Sequence, residues 1–255
     1  MNIKSIVASL LVVLLAGCAA PSIAPVQGES LKGLRSEKIA VNYTVATKKI
    51  NYLETLYRVL WLETKTSSQD YSGIWDPDKE LTASAVAKLR QQGFAATSAY
   101  DSLNPGTLAT MNKSWGDLMI ASSTKNHPEI SGVKLIPEKD FFLSNQAATN
   151  LAPLAGALKE KGFRYLVQLS AMDITGNAVG YGMVAVGASP AVQVIDLTTG
   201  KIIWVSPVFH SEVYQLGGDL KALEVDGMKK TKEGLSAGIA KINFEGLWGL
   251  ATAKQ

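Results

Sequence analysis

The sequence predicts a three-layer α/β domain: a mixed sheet with flanking helices, a late antiparallel hairpin and a C-terminal helix. Three observations carry this. Two amphipathic stretches each end in glycine followed by phenylalanine, at Gly93-Phe94 and Gly162-Phe163, and a strand-forming run follows each one. Helix-to-strand units of this kind are the crossovers of an α/β sheet. Residues 179–208 then read as strand-forming runs separated by short turns, an antiparallel meander. Finally Met228, Leu235, Ile239 and Ile242 recur at helical spacing and close the chain.

In chain order, Lys38–Val45 and Tyr57–Thr64 are predicted strands, with a turn-rich loop over Ser67–Pro77. Leu81, Ala85 and Leu89, with Val86 beside them, mark one apolar helix face, and Gly93 is placed to end that helix. Phe94–Thr97 re-enters a sheet. Within 104–146, Pro105-Gly106 and His127-Pro128 break the pattern, while Leu108, Met111, Trp115, Leu118 and Met119 predict a further helix. Leu151, Leu154, Ala155 and Leu158 predict a helix ending at Gly162. Phe163–Met172 follows as a strand with Tyr165, Val167, Leu169 and Ala171 on one face. Strands are expected over Val179–Val186, Ala191–Leu197 and Lys201–Val208. The last two are joined through Thr198-Thr199-Gly200, where glycine supplies the positive φ of a short hairpin loop. Val179–Val186 is apolar on both faces. A membrane barrel wall alternates apolar and polar residues, so the run reads as a buried strand rather than a membrane-inserting one. Lys229, Lys230, Lys232 and Lys241 form the solvated side of the closing helix.

The amino terminus carries the most specific signal. Lys4 precedes an apolar run, Ile6–Leu15, interrupted only by Ser9. That is a charged n-region and an h-region about half the length needed to span a bilayer, hence an export signal. It ends in Leu15-Ala16-Gly17-Cys18, which resembles the bacterial lipobox. The resemblance implies diacylglyceryl transfer to the Cys18 thiol, cleavage before Cys18 and acylation of the new amine. Residues 1–17 are then a signal peptide. Residues 18–37 are the lipidated cysteine and a flexible tether containing Pro21, Pro25, Gly28 and Gly33. Residues 38–255 are a single periplasmic α/β domain. Two or more acyl chains hold a protein stably to a membrane, so the body need not be hydrophobic. Ala19 stands where lipoproteins kept in the inner membrane commonly carry Asp, and this implies an outer-membrane anchor facing the periplasm.

Composition narrows the function classes. A chain of 255 residues with 47% hydrophobic and 18% charged residues is globular. The net charge is +3, falling by one with the loss of Lys4, and no basic tract is dense enough for nucleic acid. Cys18 is the only cysteine, so once lipidated it leaves no disulfide, thiolate nucleophile or cysteine metal site. His127 and His210 are isolated from one another and from other ligand-type residues, and no metal is expected. Gly187-Ala188-Ser189-Pro190 lacks the second glycine of a nucleophile elbow. The Gly180–Gly187 segment lacks the Gly-Lys-Ser/Thr ending of a phosphate loop. The acid pairs Asp76/Asp78 and Glu138/Asp140 lie in proline-containing loops and read as turn formers or helix caps rather than as opposed glycosidase carboxylates. No catalytic residue and no cofactor are predicted. Tyr71, Trp75, Tyr100 and Trp115 either cover the core or form an aromatic patch; Tyr71 and Trp75 are the candidate partner-binding residues.

The lipobox, the tether, the helix-Gly-Phe-strand unit and the hairpin carrying Asp196, Thr199, Gly200 and Trp204 resemble one group of proteins. These are the small periplasmic α/β lipoproteins related to the curli secretion channel subunit, the penicillin-binding-protein activators and the amino-terminal domain of TolB. The resemblance implies a non-enzymatic binding or assembly factor of the cell envelope, with an envelope protein partner and a capacity for homo-oligomers. The alternatives are a subunit of an oligomeric outer-membrane secretion pore and an envelope-polymer hydrolase.

Overall fold

The computed structural model describes residues 31–58, 61–123, 129–130, 133–134, 156–180, 183–205, 214–215 and 226–250. In chain order, β1 (Ile39–Val45), β2 (Lys49–Arg58) and β3 (Trp61–Asp70) precede α1 (Pro77–Gln91), β4 (Ala96–Ser98), α2 (Ala99–Ser102) and α3 (Pro105–Ser123). A small ribbon of β5 (Glu129–Ile130) and β6 (Val133–Lys134) follows. Helical residues 156–160 lead into β7 (Tyr165–Ala171), β8 (Ile174–Gly180), β9 (Met183–Ala188), β10 (Ala191–Asp196), β11 (Lys201–Val205) and β12 (Tyr214–Gln215). The described chain closes with α4 (Lys229–Ala240) and α5 (Phe244–Leu247).

Strand β1 is the axis of this arrangement. It lies parallel between β4 and β7 in a five-stranded sheet of order β11-β10-β7-β1-β4. After Ala46–Lys48 the chain runs on as β2, and after Met172–Asp173 β7 runs on as β8; these continuations again pair in parallel. The β1–β7 ladder thereby continues into a second five-stranded sheet of order β12-β9-β8-β2-β3.

Period-2 alternation sorts the side chains of β1 and β7 onto two faces. Ile39, Val41, Tyr43 and Val45, with Tyr165, Val167, Leu169 and Ala171, join the larger core together with Leu81, Ala85 and Leu89 of α1 and Leu235 and Ile239 of α4. On the other face Ala40, Leu166 and Ile195 pack with Leu103, Leu108, Met111, Trp115 and Leu158. Helices therefore cover both sides of the sheet, the three-layer α/β architecture that the periodicities predict. Gly93 and Gly162 both end helices at positive φ, +82° and +80°, as placed. The β10–β11 hairpin forms with Gly200 at φ +68°; Asp196 accepts the Thr198 amide at 2.7 Å through Oδ1 and the Gly200 amide at 2.8 Å through its carbonyl.

Several expectations change. The predicted strand Tyr57–Thr64 is the end of a long hairpin, in which Arg58 pairs directly with Trp61. The run is rich in strand formers and no glycine or proline marks the reversal, so it reads as continuous. Strand β3 also extends to Asp70, through residues expected to open a loop. The predicted strand Val179–Val186 is likewise divided: β8 ends at Gly180, which pairs with Met183 at the start of β9. Val184 and Val186 are fully buried in the main core, in agreement with burial. Among the described residues no helix is long and apolar enough to cross a membrane.

The last part of the expected tether is folded. Leu31–Arg35 forms a 3-10 turn, Leu34 is fully buried, and Arg35 pairs with Glu245. Gly33 sits so close to Tyr165 that a Cβ would lie 2.7 Å from the phenolic oxygen. The lysines of the closing helix divide. Lys229, Lys230 and Lys241 are exposed, whereas Lys232 lies 5.7 Å from the Trp75 ring centroid and 3.7 Å from Glu80. Cys18, residues 1–17 (the expected signal peptide), His127, His210, Glu138, Asp140 and residues 206–208 lie outside the described residues, as does the start of the helix expected from Leu151.

Candidate functional site

The site begins with a strand that stops early. Strand β4 spans three residues, so its ladder along β1 ends at the Val41–Ser98 pair. Beyond it the Tyr43 and Val45 amides lack a strand partner, and a buried backbone donor left unpaired is costly. Helix α1 supplies side-chain acceptors instead. Thr82 Oγ1 accepts the Tyr43 N–H at 2.8 Å and Asp78 Oδ1 accepts the Val45 N–H at 2.8 Å. Thr82 in turn donates to the Asp78 carbonyl at 2.6 Å. The first turns of α1 thus lie against the end of β1.

Between that turn, the end of β1, α2 and α3 lies a cleft of about 700 Å³. This is in the size range of small-molecule sites, and it sits at the carboxyl end of parallel strands, where open α/β sheets place ligands. Val45, Leu103 and Leu108 give it apolar walls. Asp78, Tyr100 and Asn112 give it polar groups, and Lys48, Asp76, Lys79, Asp101, Lys113 and Asp117 complete its charged lining.

Asp78 is 6% exposed. Burial pushes its carboxyl up to about 7, the Val45 N–H pulls it back, Asp76 raises it and Lys48 lowers it. Burial also raises the Tyr100 phenol, chiefly, with further contributions from Asp78 and Asp76. Ser98 caps α2 by accepting the Tyr100 amide at 3.1 Å, which fixes the backbone of the residue that faces the cleft. The Tyr100 oxygen accepts Asn112 Nδ2–H at 3.0 Å. Asn112 Oδ1 accepts from Asn42 Nδ2 at 2.9 Å and from the Thr44 hydroxyl at 3.2 Å. Asn42 Nδ2 also lies 2.9 Å from Gln168 Oε1. Asn42, Gln168 and Gln193 occupy one cross-strand row over β1, β7 and β10. A chain of amides therefore runs from the cleft into the buried face of the sheet.

Tyr71 and Trp75 are placed elsewhere. Tyr71 is fully buried and Trp75 is 7% exposed, with ring centroids 5.6 Å apart. The Tyr71 hydroxyl donates to the Thr47 carbonyl at 2.7 Å. Both rings face the core, and Lys232 lies over Trp75. The covering role, not the docking patch, is the one this geometry supports, because rings so enclosed have little surface to offer a partner. Trp115 is also buried, while Tyr100 reaches the cleft. Of the acid pair, Asp76 occupies the N-cap position of α1 without a side-chain cap, and Asp78 serves β1. Among the described residues no group of three or more histidine, cysteine or acidic side chains is placed to hold a metal.

A second surface is open. Asn51, Leu53, Thr66, Ser68, Thr175 and Asn177 line a shallow groove of about 430 Å³ on the β2–β3–β8 face, and among the described residues β3 is the edge of its sheet. Neither this face nor the amide row is singled out by the sequence. Asn42, Thr44, Gln168 and Ser170 alternate with apolar residues and read as solvent-facing.

No protein-family model matches this chain, and no characterised protein matches it by sequence. Solved structures do. A PelC dodecamer from Paraburkholderia phytofirmans aligns over 84% of this chain and 91% of its own at 14% identity, TM-score 0.34. A second crystal form aligns over 89% and 94% at 13% identity, TM-score 0.34. The LpoB C-terminal domain from Salmonella enterica aligns over 82% and 93% at 12% identity, TM-score 0.23. At these identities and TM-scores the likenesses say nothing about individual residues or activity.

Proposed function

We propose that this protein is a membrane-anchored lipoprotein that acts without bond chemistry as a binding or assembly factor of the bacterial cell envelope. Acyl chains on Cys18 hold it at the outer membrane, and residues 19–30 let the body stand off the surface on the periplasmic side. The observation that carries the binding role is the edge of β3, which has no second strand partner among the described residues. It spans ten residues, and Lys65, Thr66, Ser67 and Ser68 are exposed. Its register with β2 runs through ten pairs without a bulge. A long unprotected edge is a template for strand addition by a partner.

The test is site-specific photocrosslinking from Thr66 and Ser68 in intact envelopes. Capture of one envelope protein supports the reading. Absence of any adduct from either position, with the protein present at normal level, refutes it. Among the described residues the same sheet has β3 at one edge and β12 at the other, the arrangement a ring of identical subunits would use. Adducts at multiples of the chain's own mass would select that second reading, an oligomeric pore subunit.

A further inference from the structure

The cleft floor holds two oxygen groups that the protein leaves partly unused. Tyr100 receives a hydrogen from Asn112, but its own O–H has no acceptor among the described residues. Asp78 gives Oδ1 to the Val45 amide, and Oδ2 has no partner there. At neutral pH and below, burial keeps much of that carboxyl protonated, so it too presents an O–H. Both groups line the cleft, next to the apolar Val45, Leu103 and Leu108. The charged lining is balanced. Lys113 is paired with Asp117 at 2.6 Å, and two further lysines, Lys48 and Lys79, and two further aspartates, Asp76 and Asp101, share the lining.

We propose that this cleft binds a neutral, oxygen-rich ligand of disaccharide size, with Tyr100 and Asp78 donating to its oxygens and Leu103 and Leu108 packing on its C–H faces. An aliphatic ligand would leave both donors buried without acceptors, which is unfavourable. An anion would meet Asp76 and Asp101, and a cation would meet Lys48 and Lys79. The volume of about 700 Å³ exceeds what one sugar ring needs and suits two. The proposal holds whether or not the chain is anchored through Cys18.

The test uses the full chain in a detergent without a sugar headgroup, titrated calorimetrically at pH 6. The probes are three neutral disaccharides, maltose, cellobiose and N,N′-diacetylchitobiose, and two charged ones, de-acetylated chitobiose and digalacturonate. At least one neutral probe binds saturably, and about tenfold more tightly than either charged one. Tyr100→Phe keeps the ring and removes the donor, weakening that binding about tenfold. Ala109→Trp places a bulky ring at an exposed position of the cleft wall and abolishes binding without touching the core. The proposal is overturned if no neutral probe saturates, if a charged probe binds more tightly, or if both variants, folded by circular dichroism, bind like the parent.

Discussion

Replacing Asp78 with Asn makes the protein more stable at alkaline pH and leaves it unchanged in acid. Asp78 Oδ1 accepts the Val45 amide, and an Asn Oδ1 in the same position does the same. What the substitution removes is an ionisable group whose charged form is disfavoured by burial. The folded carboxyl titrates near 7 and the unfolded one near 3.8. Below pH 3.8 both states are protonated and the site costs nothing. As pH rises towards 7 the unfolded chain has released this proton while the folded chain retains it, so ν_U − ν_N is about −1 and stability falls by about 1.4 kcal/mol per pH unit. Above 7 the loss is complete, and the shift corresponds to about 4 kcal/mol. Urea unfolding followed by the fluorescence of Trp75, Trp115, Trp204 and Trp248, all buried, measures this directly. Other groups titrate alike in both proteins and cancel in the difference. The expected gap between Asp78→Asn and the parent is near zero at pH 3 and several kcal/mol at pH 8. Asp78→Ala, which leaves the Val45 amide without its acceptor, is less stable than Asp78→Asn at both pH values by about 1–3 kcal/mol. An equal gap at pH 3 and pH 8, or a destabilised Asp78→Asn at pH 8, refutes the argument.

Thr82→Val removes the acceptor of the Tyr43 amide and lowers unfolding free energy by about 1–3 kcal/mol in the same urea assay, with no pH dependence of its own. Gln193→Met raises stability by about 1 kcal/mol, because Gln193 is fully buried and neither side-chain amide atom has a partner among the described residues. Gly200→Ala lowers the thermal midpoint, at a cost of about 1 kcal/mol, since φ is +68° there and nothing lies within 4 Å to clash with a new Cβ. Mass spectrometry of the protein purified from membranes finds an acylated amino-terminal residue at position 18, and Cys18→Ser releases the body from the membrane fraction.

Much of the fold was legible because its periods are strong. The Leu81-Ala85-Leu89 stripe, the glycines at 93 and 162, and the alternation through Tyr165–Ala171 each have one good structural solution, and all three formed as expected. The failures are hairpins without punctuation. Arg58 and Trp61 reverse the chain amid strand formers, and Gly180 and Met183 reverse it within a run apolar on both faces. In both places composition determines that strands form but not where one ends, and the strands these hairpins pair with, β8 for β2 and β12 for β9, lie outside the local run.

The cleft was less legible for a more specific reason. A polar residue alternating with apolar ones in a strand normally faces water, yet Asn42, Thr44, Gln168 and Ser170 are at most 2% exposed. They are buried because α3 crosses that face and brings Asn112 within 2.9 Å of Asn42. An all-apolar face would bury more favourably, so amides retained there need another reason. The hydrogen-bond chain from Gln168 through Asn42 and Asn112 ends at Tyr100, in the cleft, and it holds that hydroxyl oxygen as an acceptor with its proton directed elsewhere. Polarity buried at a distance from the cleft thus orients a group that lines it. If the row served stability alone, replacing Gln168 and Asn42 by apolar residues would leave ligand affinity unchanged; if it positions Tyr100, the double replacement weakens binding in a protein that remains folded.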